Sequence, residues 1–512
     1  MKQFILLIIN LFVIVTLSAQ PTFNNAYRVA SDSTFYTEFG SIVATDSAYY
    51  ISGVTQDTLD GYTLNRGMLM KIDTNGNKVW SSIYGDTTYT TETWYDAMII
   101  TNQGYLANVG RNSYDGSSFL LITDYNGNII TNKNYSDTYP IILSGVTQDN
   151  SNNFYLIGAL FYTYDSETIL IKTDSLGNEI WRQYYDAFPI VDSTNSTYAN
   201  DIFFNSNGDL IIGSIKTKDY DFQLSFELGT WVLQIDTAGN ILNEYRTPIN
   251  RWIAGSIITL TQDGGLLSYG YEGVKQSINS THYDYEGYIS KLDNNLQLVW
   301  EKRYGIEWSR FLHIKEKDNG HFICTGGYFS DRSLDDVSLT GWMMELDENG
   351  DSLWQREFII FPGVYQWHAL GDFEFLDDGG MIVSGYIQNM TPGAGNFGNY
   401  WGWLIRTDSL GCIVPGCQLL DNTENVAVVF DNEVVVYPNP ASEVVRFRFE
   451  KPIDGKTEIR VYSGLGQEVG RVLADNVEQA QVNVSDWNSG VYFYGVYVEG
   501  KLVKQGQVLV QH

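Results

Sequence analysis

The chain has 512 residues, of which 31 are Lys or Arg and 61 are Asp or Glu, giving a formal net charge of −30 at pH 7. That balance excludes nucleic-acid binding through a general basic field, which needs clustered cations. Disorder is excluded by 44% hydrophobic and 14% aromatic residues, and 48 Gly with 36 Tyr beside 10 Pro suit short strands joined by tight turns.

At the N-terminus, Lys2 precedes a mostly apolar run over residues 4–17, followed by Ser18, Ala19 and Gln20. A basic start, a short apolar centre and a small residue at its end predict a signal peptide over residues 1–19. The run falls short of the roughly 20 apolar residues that span a bilayer. No later stretch approaches that length, so the mature chain is expected to lack a transmembrane segment.

From residue 20 the chain is periodic. One unit recurs as Asp73-Thr-Asn-Gly-Asn-Lys-Val-Trp80, Asp124-Tyr-Asn-Gly-Asn, Asp174-Ser-Leu-Gly-Asn-Glu-Ile-Trp181 and Asp236-Thr-Ala-Gly-Asn. It continues as Asp293-Asn-Asn-Leu-Gln-Leu-Val-Trp300, Asp347-Glu-Asn-Gly-Asp-Ser-Leu-Trp354 and Asp408-Ser-Leu-Gly-Cys. The six intervals from Asp73 to Asp408 average about 56 residues, close to one propeller blade. A second unit, strand–turn–strand, alternates with the first over 42–53, 98–110, 146–158, 202–213, 257–270, 313–326 and 373–385. Turn pairs such as Gly264-Gly265 and Gly379-Gly380 between apolar runs signal hairpins. Two hairpins per repeat predict an all-β fold, a seven-bladed β-propeller over residues 20–417.

The seventh repeat degenerates after Asp408, whereas residues 23–29 precede the first repeat as 79–84 precede the second. The N-terminal segment is therefore expected to pair as the outer strand of the last blade. Trp80, Trp181, Trp300 and Trp354 recur at one strand position, which suits packing between blades.

Several motifs lack the context their chemistry needs. Gly393-Ala-Gly-Asn-Phe-Gly398 matches the dinucleotide fingerprint, but no βαβ pattern surrounds it. The Asp-Thr-Asn-Gly turns place Gly fourth and Tyr84 twelfth, unlike a calcium loop, and hairpin-turn chemistry accounts for them. None of the five His stands at metal-ligand spacing, so no cofactor or metal is implied. A carboxylate pair brought together by folding stays open among 61 acids. Cys412 and Cys417 flank the turn-prone Ile-Val-Pro-Gly and, in an oxidising compartment, can close a small disulfide. Cys324 reads as a buried strand residue.

One face of a propeller carries short, repetitive turns; the other carries connections that differ from copy to copy. The variable runs include 55–66, 215–230, 271–286, 328–340 and 387–400, and the blade-to-blade connections hold further aromatics. Varied loops on a rigid scaffold are where binding is usually placed. The binding-face candidates are Trp94, Tyr95, Asp96, Trp252, Asp284, Trp308, Trp367 and His368.

Residues 418–430 read as a linker, after which the repeat does not return. Seven alternating runs over 434–437, 444–449, 458–462, 469–473, 482–484, 491–498 and 503–510 predict a small immunoglobulin-like β-sandwich over residues 431–512. From Asp431 onward there are 11 acids and 8 bases, so this part carries −3 and the rest −27.

These residues resemble the type A sorting domain of the type IX secretion system. The resemblance rests on Tyr437-Pro438-Asn439-Pro440, Val461-Tyr-Ser-Gly-Leu-Gly466, Asp486-Trp-Asn-Ser-Gly490-Val-Tyr492 and Gly500-Lys-Leu-Val-Lys504, with Trp487 where the family usually has Leu. It implies recognition by that secretion machinery in the periplasm, passage across the outer membrane, and release or attachment at the cell surface. The repeats upstream also resemble propeller repeats of such cargo, which implies an architecture and no activity. The triplets beginning at Asp174, Asp236, Asp351 and Asp408 resemble the O-glycosylation sequence of bacteria with this system; turn chemistry explains them equally well. The expected function is non-catalytic binding of a glycan or surface protein. The alternatives are a polysaccharide-active enzyme using a carboxylate pair, or a structural surface protein.

Overall fold

The computed structural model describes residues 22–29, 36–59, 62–84, 91–92, 97–112, 115–162, 165–187, 194–219, 226–247, 252–275, 283–304, 310–329, 339–360, 366–389 and 399–414. It further describes 417, 434–449, 451, 456–463, 468–473, 478–498 and 501–512. The expected signal peptide, the linker 418–430 and the Gly393–Gly398 motif lie outside the described residues. The chain divides into two compact units, one of them Phe23–Gly411 and the other containing Cys412–His512.

In the first unit the strands group into antiparallel meanders over 37–84, 91–135, 141–185, 194–246, 252–304, 310–358 and 366–407. The last of these supplies three strands, and Phe23–Tyr27 joins it as a fourth, pairing Phe23 with Arg406 and Tyr27 with Gly402. In the first meander Trp80 pairs with Lys71 and Tyr84 with Gly67. Phe23 and Tyr27 therefore stand in the register of Trp80 and Tyr84, as the sequence predicts.

In the first six meanders the repeated Asp closes the turn between the third and fourth strands. Asp73 Oδ1 accepts the amides of Asn75 and Asn77 at 2.9 and 2.8 Å, and Oδ2 accepts Asn77 Nδ2 at 3.0 Å. The same backbone bonds recur at Asp124, Asp174, Asp236, Asp293 and Asp347. The Asn77 side chain and these amides hold the Asp73 carboxyl below its ordinary pKa. Gly76 sits at φ 84°, a conformation that disfavours any Cβ. The fifth turn departs from the pattern, with Leu296 at φ 57°.

Neighbouring meanders bury their apolar faces against each other. Tyr269 and Ile289 of the fifth pack with Phe311 and Trp342 of the sixth, and Phe39 and Ile42 of the first pack with Ile382 and Leu404 of the seventh. A fourth-strand tyrosine reinforces the contact by donating its hydroxyl to the turn glycine carbonyl of the next meander. These bonds are Tyr84 to Gly127 (2.9 Å), Tyr135 to Gly177 (2.7 Å), Tyr185 to Gly239 (2.8 Å) and Tyr304 to Gly350 (2.8 Å). Tyr27 repeats it on Gly76 at 2.7 Å, so the N-terminal strand joins the last meander to the first. Trp80 lies over the same turn: a Cβ placed on Gly127 would come within 3.1 Å of its ring. Those tryptophans thus pack between meanders.

A second tryptophan register was not singled out from sequence. Trp231, Trp342 and Trp403 lie in third strands, five residues before Asp236, Asp347 and Asp408, and are fully buried. Truncating such a residue costs about 3–5 kcal/mol. Several runs expected as variable loops instead prolong the hairpins. Strands Ala48–Leu59 and Tyr62–Asp73 stay paired out to Leu59 opposite Tyr62, and Leu210–Asp219 with Phe226–Ile235 out to Asp219 opposite Phe226. Backbone groups that would otherwise need water satisfy one another along these ladders.

The second unit has a three-stranded sheet and a four-stranded sheet, both antiparallel. Strands Val434–Tyr437, Val444–Phe449 and Gln479–Asn483 form the first; Glu468–Leu473, Thr457–Tyr462, Gly490–Val498 and Lys501–Val510 form the second. Val445, Phe447 and Phe449 from one sheet meet Ile459, Val461, Tyr494, Val496 and Val508 from the other in a single core. Cys412 and Cys417 are disulfide-bonded, with Cα atoms 5.6 Å apart.

Candidate functional site

At one end of the meanders the first and third strands begin and the second strands end. This is the end of the unequal connections, and it gathers tyrosines. The Tyr36 and Tyr400 rings lie 4.3 Å apart, and Tyr386 lies 6.0 Å from Tyr400. The Tyr36 hydroxyl donates to Glu38. Arg310, exposed at the start of its strand, is within electrostatic reach of Tyr386 and Tyr271. Burial first, and then the Glu38 carboxylate, raise the Tyr36 phenol far above its ordinary pKa; Tyr400 is raised by the same two causes. Both phenols stay protonated donors at any physiological pH. Tyr36 and Tyr400 keep part of their surface open, so rings, a carboxylate and a guanidinium converge where a ligand can reach them.

Of the residues expected on this face, Trp94, Tyr95, Asp96 and Trp308 lie outside the described residues. Trp252 and Asp284 sit on strands flanking Leu266–Lys275, paired with Gly273 and Val274, so the backbone sets them at neighbouring levels. Trp367 is half-buried against Leu312, Leu339, Ala369 and Tyr386. His368 does not present to the face. It is 2% exposed, with its ring 5.3 Å from Trp403, and burial pushes its pKa down to about 4. Strand alternation explains this: Trp367 and His368 point to opposite sides. Tyr386 and Tyr400 share one hairpin, and the cluster was missed because Tyr36 and Arg310 reach it from other meanders.

Farther along, the first strands line a cavity of about 600 Å³. Its wall is apolar over Ile42, Met98, Ile202 and Phe203, and polar where His313, Lys315, Asp372 and Glu374 meet. Lys315 Nζ lies 3.0 Å from Glu374 and 3.6 Å from Asp372, and His313 Nε2 lies 3.4 Å from Asp372. Asp372 Oδ1 accepts the Phe373 amide at 2.7 Å, and Oδ2 accepts the Ile42 amide at 2.9 Å. Asp201 does the same three meanders earlier, bonding Ile202 at 2.9 Å and Ile258 of the next meander at 3.3 Å. These two acids serve as straps between meanders. Burial raises the Glu374 pKa, Lys315 opposes this and Asp372 adds to it. Among the described residues no group of three or more His, Cys, Asp or Glu is placed to hold a metal ion. No helix among them is long and apolar enough to cross a membrane.

Residues 435–511 match the family described as the secretion system C-terminal sorting domain. The second unit carries a sorting domain. The protein is thus exported through the type IX secretion system, to the cell surface or the medium. Within the sorting domain both Tyr437-Pro438 and Asn439-Pro440 are cis. Asn439 Oδ1 accepts the Leu509 amide at 2.8 Å, tying the opening motif to the last strand. Tyr492 is buried, stacks 4.7 Å from Trp487 and donates to Asn488 O at 2.8 Å. Trp487 in turn covers Gly470, where a Cβ would meet it at 2.9 Å, so the larger ring occupies space the glycine leaves. Gly490 opens the strand that carries Tyr492, Lys504 is exposed, and Gly466 lies outside the described residues.

No curated protein matches this sequence. Among solved structures the chain is similar to the polysaccharide lyase Uly1, with 10% identity, TM-score 0.44, and coverage of 72% of this chain and 89% of that one. It is also similar to a protein of unknown function from Dyadobacter fermentans (11%, TM-score 0.39, coverage 61% and 93%). A third is the Penicillium chrysogenum α-L-arabinanase complexed with arabinobiose (12%, TM-score 0.38, coverage 60% and 91%).

Proposed function

We propose that residues 20–417 form a seven-bladed β-propeller that binds a surface or extracellular glycan without chemically altering it, and that the sorting domain, an immunoglobulin-like sandwich, delivers it there. Residues 1–19 serve as the signal peptide. The observation that carries this reading is the convergence of Tyr36, Tyr386 and Tyr400 with Glu38 and Arg310. Sugars present apolar C–H faces and hydroxyl rims, which suit open aromatic rings beside fixed hydrogen-bonding groups.

Melting temperature measured against a polysaccharide panel tests this. A ligand at 100 times its dissociation constant stabilises by roughly 2.7 kcal/mol, a visible shift. Neutral glycans are expected to give it, because a net charge of −26 over residues 20–417 repels polyanions. Tyr400→Ala should abolish the shift. No shift with any glycan would turn the reading toward a protein partner.

The second reading is a polysaccharide-active enzyme, favoured by the raised Glu374 pKa beside Asp372. It ranks lower because both Asp372 oxygens are engaged by backbone amides. Release of new reducing ends by the wild type, but not by Glu374→Gln, would establish it.

A further inference from the structure

We propose that the sorting domain docks on an acidic protein surface of the secretion machinery through the outward face of its three-stranded sheet, centred on Tyr437, Arg446 and Arg448. This rests on the sorting-domain assignment and names the surface that does the sorting.

Strand alternation divides this sheet cleanly. Val445, Phe447, Phe449, Ala480 and Val482 point into the core, and Val434 and Val436 pack against it. Their neighbours Val435, Tyr437, Arg446 and Arg448 therefore point outward. Tyr437 lies directly opposite Arg446, donates its hydroxyl to Gln479 Oε1 at 2.8 Å, and has the Arg448 guanidinium 5.9 Å from its ring centre. Tyr437 opens the sorting motif, yet its side chain serves this surface and not the core.

The three strands contain no Asp or Glu, and among the described residues no carboxylate pairs with Arg446 or Arg448. On the other sheet both arginines face a carboxylate: Glu458 meets Arg460 at 2.8 Å, Lys456 at 3.5 Å and Arg471 at 3.8 Å. In a chain of net charge −30, two arginines and a tyrosine with no acid on their sheet form a local exception. Tyr and Arg enriched over Lys, Asp and Glu is the composition of protein–protein interface cores. Charge complementarity then makes the partner acidic. An anionic lipid surface fits less well, because such binding draws on clusters of about 4–8 cations.

The test is the full-length protein produced in its own secreting cell, with the external fraction measured for Arg446→Glu/Arg448→Glu and for Arg460→Glu/Arg471→Glu. The first pair is expected to lower that fraction by about tenfold or more at unchanged melting temperature, and the second to leave it near wild type. Lysines at 446 and 448 should restore most of it. Should the reversal variant misfold, Arg446→Gln/Arg448→Gln supplies the same reading with a smaller drop. Unchanged export, or equal loss from both faces, overturns the proposal. Binding of the purified chain to anionic vesicles that depends on Arg446 and Arg448 overturns the protein partner. Deletion of residues 431–512 is the control: its normal export would overturn the sorting assignment itself.

Discussion

The Asp372 carboxylate accepts the Ile42 amide hydrogen at 2.9 Å, joining positions 330 residues apart in the chain. The same side chain faces His313 and Lys315, so it holds the last meander to the first from within the cavity. Asp372→Ala strands a buried amide and weakens the setting of the Lys315 ammonium. A loss of about 3–5 kcal/mol is expected in urea unfolding. Asp372→Asn keeps an acceptor for Ile42 and should lose less. An Ala variant within about 0.5 kcal/mol of wild type would show that the strap contributes nothing.

Tyr135→Phe removes one hydrogen bond between meanders and little else, because the ring stays buried and only the bond to Gly177 O is lost. The expected loss is about 1 kcal/mol. The sixth meander already carries Phe358 at this position, so the fold accommodates the ring without its hydroxyl. The comparison is between unfolding midpoints of the two proteins at matched denaturant slope.

Leu296→Gly sets two effects against each other. Glycine relieves about 1–2 kcal/mol of left-handed strain at φ 57°. The leucine, however, is 3% exposed and packs with Ile211, Val232, Ile258, Leu266 and Leu292 across the junction of the fourth and fifth meanders. Its burial contributes roughly 1.5–3 kcal/mol, and the cavity left behind adds to the loss. Burial wins, and the variant should be less stable by about 1 kcal/mol or more. A more stable variant would mean that backbone strain dominates.

His368 gives the fold a pH-dependent component. Its folded pKa is depressed to about 4 from an ordinary 6.5, so the unfolded chain takes up the proton first as pH falls. The stability this residue contributes is complete above pH 6.5 and is lost progressively toward pH 4. Between pH 7 and 4.5, wild type should lose about 2–3 kcal/mol more than His368→Gln. Parallel pH profiles for the two proteins would remove this role from His368.

The architecture was legible because the repeat is written in turn chemistry. Asp73 and five of its counterparts mark third-to-fourth-strand turns, Asp408 ends the last third strand, and the spacing of Phe23 and Tyr27 matches that of Trp80 and Tyr84. The candidate site was legible as a face but not as residues. Tyr386 and Tyr400 share one hairpin, but Tyr36 and Arg310 join them only through the arrangement of meanders, which no spacing along the chain signals. His368 was misplaced because a one-residue step along a strand reverses a side chain. Asp372 and Glu374 looked like any of 61 acids until folding set Lys315 between them.

The pairing of Phe23–Tyr27 with 402–406 also bears on the order in which the chain matures. In chain order the five-residue strand precedes every meander. Its partner edge, and the Trp403 Nε1–H that donates to Asn24 Oδ1 at 2.6 Å, become available only when nearly 400 more residues have followed. Contacts this distant close late, because the entropy of the intervening loop opposes them until the remaining packing is in place. The strand that comes first in the chain is the one whose paired edge comes last.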